Sequence, residues 1–491
     1  MKSGLKKCLF LAIAIQTSCQ FFDKSSEHGT EALTVYCAAG IKPAMEKVAR
    51  EYQSKYGVQI NLQYGGSGTL LTNLTIAQQG DLYLAADESY IEKAVEKSLL
   101  AEVQPLAFIR PVIAFAKENP LNIENVAGLK RQGIKLAIAN PEAASIGRVT
   151  KSMLSNSGDW EEVFQNVMTT KPTVNEIAND IKIGTIDVGI IWDAVASQYE
   201  NVAYIEVPDW EKYRQQVTIG VLKTSKNPKE ALKFMRYVSA RDKGLRVFKS
   251  LGYHPVKGDI WEENPQLLFY SGGVNRLAVE KTIKGFEERE GVEVVRVYNG
   301  CGILVSQIKA GQNPDAYLSC DVSFMTQVQG LFQNIENISS TRIVILTRKD
   351  DSHQLSTLQD LTIPGLKLGV CNPQQSALGA LTESLLRGSN LLNEVMENVV
   401  VQTPTADLLV NQLQTGALDA AVVYEANVAH LGDEFKVVSL DLEKALAIQN
   451  LGISTNSKHK FLARRLYQAI VSDSSRSIYL NNGFDWQHYS N

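Results

Sequence analysis

Six short blocks in the first half of the chain recur in the same order in the second half. Leu33-Thr-Val-Tyr-Cys-Ala-Ala-Gly40 is echoed by Gln266-Leu-Leu-Phe-Tyr-Ser-Gly-Gly273, and Tyr64-Gly-Gly-Ser-Gly68 by Tyr298-Asn-Gly-Cys-Gly302. Asp81-Leu-Tyr-Leu-Ala-Ala-Asp87 pairs with Asp315-Ala-Tyr-Leu-Ser-Cys-Asp321, and Arg110-Pro-Val-Ile with Arg342-Ile-Val-Ile. Ile134 to Pro141 pairs with Leu366 to Pro373, and Gly184 to Asp193 with Gly416 to Glu425. The displacement stays between 232 and 234 residues throughout a chain of 491. Chance does not hold register over that span. The period is far longer than a solenoid repeat, so each copy is an entire folded unit. The join falls near Asp259-Ile-Trp-Glu-Glu-Asn-Pro265, polar and ending in proline as linkers often do. This divides the chain into a leader (1–19), a linker (20–31) and two modules (32–262 and 263–491).

Within a copy, short apolar runs alternate with amphipathic stretches. Leu33 to Tyr36 reads as a strand, and Pro43 to Tyr56 as a helix with Met45, Val48, Ala49 and Tyr52 on one face, stopped by Gly57. Gln59 to Gln63 is the next strand, and Ser67-Gly68-Thr69 opens another helix. Asp81 to Ala85, Ile134 to Ala139 and Val188 to Trp192 are further strands. Such alternation predicts an α/β fold with mainly parallel sheets, in which ligands sit beyond the carboxyl ends of strands.

The first residues specify export. Lys2, Lys6 and Lys7 precede the apolar run Leu9 to Ile15, too short to span a bilayer and suited to a signal segment. Gln16-Thr17-Ser18-Cys19 resembles a lipoprotein cleavage site, which makes Cys19 the candidate lipid anchor, with ordinary signal cleavage as the alternative. No later stretch reaches the roughly 18 unbroken apolar residues of a spanning helix.

Composition removes other classes. A hydrophobic content of 44% and a charged content of 21% suit a soluble globular protein, and a net charge of -4 offers nucleic acid no basic surface. The six histidines are scattered without metal-ligand spacing, and two of the six cysteines lie in the leader. No Gly-Lys-Ser/Thr phosphate loop, Gly-x-Ser-x-Gly elbow or His-Glu-x-x-His helix is present, and no nucleophile–base pair is visible. The reading is a non-enzyme with neither cofactor nor metal.

Chemistry is left to the strand-to-helix corners. In the first copy these are Ala38 to Gly40, Gly66 to Thr69, Asn140 to Gly147 and Lys171 to Asn175. In the second they are Ser271 to Gly273, Gly300 to Gly302, Asn372 to Gly379 and Thr403 to Asp407. Small residues let backbone N–H groups approach a ligand, and a helix start favours an anion. Taken singly, each corner is equally a plain helix cap.

As an ordered set, the blocks resemble the molybdate-binding proteins of ABC importers, within the type II periplasmic-binding class. The resemblance covers nearly all of residues 32 to 488. It implies that each copy is a two-lobed clamp closing about a hinge on a tetrahedral oxyanion, delivered to a membrane permease. It places ligand contacts at Gly40, Ser67, Gly68, Thr69, Ser145, Val174 and Trp192 in the first copy. In the second they fall at Gly273, Cys301, Gly302, Ser376, Ala406 and Tyr424. The family's serine in the first corner is replaced by Gly40 and Gly273, its second-corner serine survives only as Ser67, and its tyrosine is Trp192 in the first copy. A non-transport receptor shares every one of these features.

Several residues carry two readings. Asp193 and Glu425 either repel an anion from the cleft or cap the next helix facing away. Arg110 and Arg342 either charge the cleft or pair with a nearby acid. Cys301, Cys320 and Cys371 lie at converging strand ends of the second copy, as a soft-metal site, a Cys301–Cys320 disulfide, or small buried residues. Cys37 sits on a core strand and reads as buried.

Overall fold

The computed structural model describes residues 32–350, 352–440, 442 and 445–488; the leader with Cys19 lies outside them. Each half of the chain builds two lobes. In the first half one lobe holds a six-stranded sheet, ordered His254–Pro255, Leu100–Ile109, Gln215–Leu222, Leu82–Ala85, Leu33–Ala38, Ile60–Gly65. The other lobe holds five strands, ordered Val167–Lys171, Leu136–Ala139, Val188–Trp192, Pro111–Ala116, Val202–Ile205. Each sheet has three parallel strands at one edge: Leu33–Ala38 between Ile60–Gly65 and Leu82–Ala85, and Leu136–Ala139 between its two neighbours. Antiparallel strands enter where the chain crosses between lobes and returns.

Local sequence accounts for these elements. The helix Lys42–Tyr56 buries Ala44, Met45, Val48, Ala49 and Tyr52 and ends at Gly57, whose φ of 71° is left-handed. The strands Leu82–Ala85, Leu136–Ala139 and Val188–Trp192 are buried at every residue, as parallel strands covered on both faces must be.

The repeat differs most at the hinge. In the second half one strand, Phe332–Arg348, runs through both lobes and joins their strands into a single ten-stranded sheet. Its first part pairs with Leu446–Ser454, and from Ile343 onward it pairs with Ala420–Tyr424. In the first half the equivalent strand is broken between Ile109 and Pro111. Proline stands where the second copy has Ile343, and it has no N–H for the ladder.

The halves are joined by buried charge. Glu290, 2% exposed, receives Arg236 Nη1 at 2.8 Å and Arg465 Nη2 at 3.2 Å, and Arg465 Nη1 donates to Gln104 Oε1 at 3.0 Å. Arg289 pairs with Glu102 across the same seam. Asp259, in the joining segment, accepts the N–H groups of Phe461 and Leu462 at 3.0 and 3.1 Å. The polar join is therefore tied to the second module. Among the described residues no helix is long and apolar enough to cross a membrane.

Candidate functional site

Four corners of the first module meet in one small cleft between the lobes. It is lined by Ala38, Ala39 and Gly40, by Gly65, Gly66 and Ser67, by Ala144, Ser145 and Ile146, and by Thr173 and Val174, with Ala86 and Trp192. Its free volume is about 20 Å³, room for little more than one water-sized sphere. Ser67, Ser145 and Val174 are the first residues of the helices Ser67–Ala77, Ser145–Ser157 and Val174–Ile183. The first N–H groups of a helix have no carbonyl of their own helix to bind, and none of these three starts has a side-chain cap. Three helix N-termini thus face one space.

The serine hydroxyls are ordered by count. Ser67 Oγ accepts from Ala86 N at 3.2 Å and from Ser145 Oγ at 2.9 Å, which uses both of its acceptor positions. Its own proton remains free to donate. Tyr83 Oη steadies this corner by donating to the Ser67 carbonyl at 2.8 Å. A Cβ at position 40 would lie 3.1 Å from Val174 Cγ1, a tight contact that asks Val174 to shift slightly, and 3.4 Å from Trp192 Cδ1, an ordinary one.

Gly68 and Thr69 serve a different end. Their N–H groups bind the Ala143 carbonyl of the opposite lobe at 3.1 and 3.4 Å, so they join the lobes. A Cβ on Gly66 would stand 2.2 Å from that same oxygen. Outside these contacts, Arg148 of one lobe donates through Nε to Asp87 of the other at 3.0 Å, with Nη2 on the same oxygen. Asp87 is 1% exposed and also caps its own helix at Ser89 N. The lobes are shut, and this ion pair latches them.

Neither Asp193 nor Arg110 enters the cleft. Asp193 Oδ1 accepts Arg110 N at 3.0 Å and Ala194 N at 2.7 Å, and Oδ2 lies 2.9 Å from His254 Nε2. Arg110 also reaches Glu206 and Glu211. Both form a hinge network. Glu425 and Arg342 of the second module are exposed.

The second module keeps the framework and changes the donors. Gly302 N binds Gln375 O at 3.0 Å, repeating the lobe contact of Gly68, and Cys301 Sγ accepts Cys320 N at 3.0 Å where Ser67 accepted Ala86 N. Gly273 has room that Gly40 lacks, its nearest neighbour to a Cβ being Thr405 Cγ2 at 3.5 Å. Ser376 caps the helix Ala377–Gly388 and so matches Ala144; the first residue of that helix is Ala377, and the hydroxyl of Ser145 has no equivalent. Ala406 opens the helix Ala406–Gln414 as Val174 opens its own. Tyr424, 2% exposed, has a buried hydroxyl without a partner, and burial raises its pKa well above the ordinary value. Position 148 of the latch is Ala380 here.

The cysteines resolve to buried thiols. Cys37, Cys301, Cys320 and Cys371 are all free, so the Cys301–Cys320 disulfide is not formed. Among the described residues no group of three or more His, Cys, Asp or Glu is placed to hold a metal ion. The bond with Cys301 and burial raise Cys320 well above the usual thiol range, and burial pushes Cys371 up to about 11. Such thiols are protonated at neutral pH and are poor ligands.

Comparison with known proteins agrees with this architecture. The family model described as "Bacterial extracellular solute-binding protein" matches twice, over residues 33–254 and 267–485. The chain belongs to that family. The molybdate-binding protein ModA of Mycobacterium tuberculosis is 25% identical over 229 residues, covering 46% of this chain and 85% of that protein. ModA of Escherichia coli is 23% identical over 175 residues, covering 34% and 68%. Among solved structures, the periplasmic molybdate-binding protein of Azotobacter vinelandii is 17% identical with a TM-score of 0.41, covering 45% of this chain and 98% of its own. The sulfate-binding protein SubI of M. tuberculosis is 15% identical with a TM-score of 0.40, covering 45% and 86%.

This solute-binding protein is therefore a tandem duplication of a type that serves ABC importers, and its family is one of exported binding proteins. Sequence reasoning missed the Asp87–Arg148 latch. The start of the Glu88–Glu96 helix marks Asp87 as a cap, but nothing local ties it to an arginine 61 residues away.

Proposed function

We propose that the first module binds a small tetrahedral oxyanion of the molybdate and tungstate class and delivers it to an ABC permease. One observation carries this reading: the uncapped starts at Ser67, Ser145 and Val174 meet the free Ser67 proton in a cleft whose nearby carboxylate, Asp193, is turned into the hinge. A dehydrated oxyanion needs several donors and no competing negative charge. Gly40, Trp192 and the amides of Ser67, Ser145 and Val174 would surround it, with Gly68 and Thr69 closing the lobes. In the second module Gly273, Cys301, Gly302, Ser376, Ala406 and Tyr424 would bound a cleft with fewer hydroxyl donors and a different ligand preference. The division into modules at 262/263 and a lipid anchor at Cys19 complete the proposal.

Isothermal titration of the full chain with molybdate, tungstate, sulfate and phosphate tests it. The expected result is one saturable site for at least one of these anions, lost or weakened in Ser67→Ala. Absence of binding by all four, or equal affinity in Ser67→Ala and Ser145→Ala, would remove the first cleft as an oxyanion site.

A further inference from the structure

A second cavity lies in the second module, bordering the Asn372 corner, between the helices Ala377–Gly388 and Leu392–Glu397 and the strands Leu368–Cys371 and Val399–Thr403. Its volume is about 230 Å³. Val370, Leu386, Leu392 and Met396 supply most of the apolar wall. An engineered apolar cavity of about 150 Å³ is enough for benzene.

Repetition shows how the cavity arose. Leu392 and Met396 stand where the first module has Trp160 and Phe164. Those two rings stack at 4.9 Å, with Trp160 packed on the first module's core and Phe164 exposed beside it. Replacing two aromatic side chains by smaller, flexible ones leaves space that the backbone has not closed. Thr382 also lines the cavity; it is 3% exposed, and its hydroxyl has no partner. Its counterpart Thr150 is likewise unpartnered, so the buried hydroxyl is common to both copies. A buried hydroxyl without a partner is costly, and a ligand group that bonds it recovers that cost. The Glu383–Arg387 ion pair lines the same space without aiming a lone charge into it.

We propose that this cavity is a ligand site for a small apolar molecule bearing one hydroxyl or carbonyl, held by the Thr382 hydroxyl. It is independent of oxyanion binding in the first cleft. Cys371, which lines the cavity, directly precedes the Asn372 corner of the second cleft, and Pro373 and Gly379 of that corner line the cavity as well.

Phenol and its bromine-labelled analogue para-bromophenol are the probes, used on the full chain. Saturable binding is expected with a Kd of about 1 mM, ordinary for a ligand of so few atoms. The bromine should appear inside the cavity, a ring length away from the Thr382 hydroxyl and toward the apolar wall, in an anomalous map of a soaked crystal. Leu392→Trp restores the first module's filler and should abolish binding while leaving the melting temperature equal or higher. Thr382→Val, a near-isosteric change, should weaken phenol several-fold and leave toluene unchanged. Bromine elsewhere, no saturation by phenol, or a Thr382→Val variant that loses toluene and phenol alike would overturn the assignment.

Discussion

Removing Arg148 should open the first module. In the shut clamp Asp87 is 1% exposed and accepts two guanidinium N–H groups, Nε at 3.0 Å, besides its own helix cap at 2.9 Å. Arg148→Ala leaves that carboxylate buried with only the cap, whereas opening lets water reach it. A hydrogen bond to a charged group contributes about 1.5–3 kcal/mol, and the half-open position of Arg148 favours the lower end. The shut-to-open ratio should therefore fall by about 10-fold or more, a figure that passes directly into the apparent Kd of any ligand needing the shut form when that form is the minority. Spin labels on exposed Glu92 and Lys151, one on each lobe, report the ratio as a distance distribution. Arg148→Ala should add or enlarge a longer-distance population, and Asp87→Asn should have little further effect on top of it. Identical distributions and identical oxyanion affinity in wild type and Arg148→Ala would refute the latch. The second module supplies a converse: Ala380→Arg places a guanidinium opposite Asp321, already buried and capping at Ser323 N, and should shift that module toward the shut form.

Three further outcomes follow from the same geometry. Ser67→Ala should cost oxyanion affinity about 10- to 100-fold in titration calorimetry, the range for one bond to a charged ligand, with Ser67→Cys between it and wild type. Gly66→Ala should block closure, since its Cβ would fall 2.2 Å from the Ala143 oxygen; ligand binding should fail while circular dichroism and the secondary-structure content hold. Glu290→Gln should lower the melting temperature strongly, because breaking a buried ion network by removing one partner costs about 3–5 kcal/mol. Burial would raise the Glu290 pKa, but Arg465 and Arg236 outweigh it and hold the carboxyl below its ordinary value. Its stabilisation is thus present above the unfolded-state pKa and is lost as acid protonates it, so wild type should lose stability below about pH 4.5 more steeply than Glu290→Gln.

Architecture was legible because it rests on short-range signals. Strand and helix periods and glycine stops are local and gave the α/β class, the repeat gave the tandem copies, and the two lobes came from the family resemblance; helix boundaries are off by little, the first helix starting at Lys42 rather than Pro43. Contacts that decide function are not local. Gly68 and Thr69 carry the right residue type for an anion corner, yet their N–H groups are claimed by Ala143, which no spacing rule reveals. Ser376 illustrates a one-residue slip: it lies in the expected corner but holds the cap position, so its hydroxyl does not replace that of Ser145. Cys301 and Cys320 lie near each other as expected, but adjacency alone did not distinguish a thiol accepting a backbone N–H from a disulfide.

Divergence between the clefts has a direction that the paired substitutions make readable. In the first module the hydroxyl pair Ser67 and Ser145 and the Asp87–Arg148 latch are present together. In the second module the corresponding positions are Cys301, Ala377 and Ala380, and every one of these loses a donor or a charge. A thiol is a weak donor and two methyl groups are none, so the second cleft offers an anion fewer side-chain donors than the first, the unpartnered Tyr424 hydroxyl among those that remain. Loss confined to donors, with the glycines that admit the opposite lobe kept at 300 and 302, is what relaxed selection on one ligand looks like when closure itself is still required. On this argument the second module should still shut in the spin-label experiment, and its affinity for a tetrahedral dianion should lie well below that of the first; equal dianion affinity in the two modules would mean that backbone amides alone set the binding energy and that the serine hydroxyls contribute little.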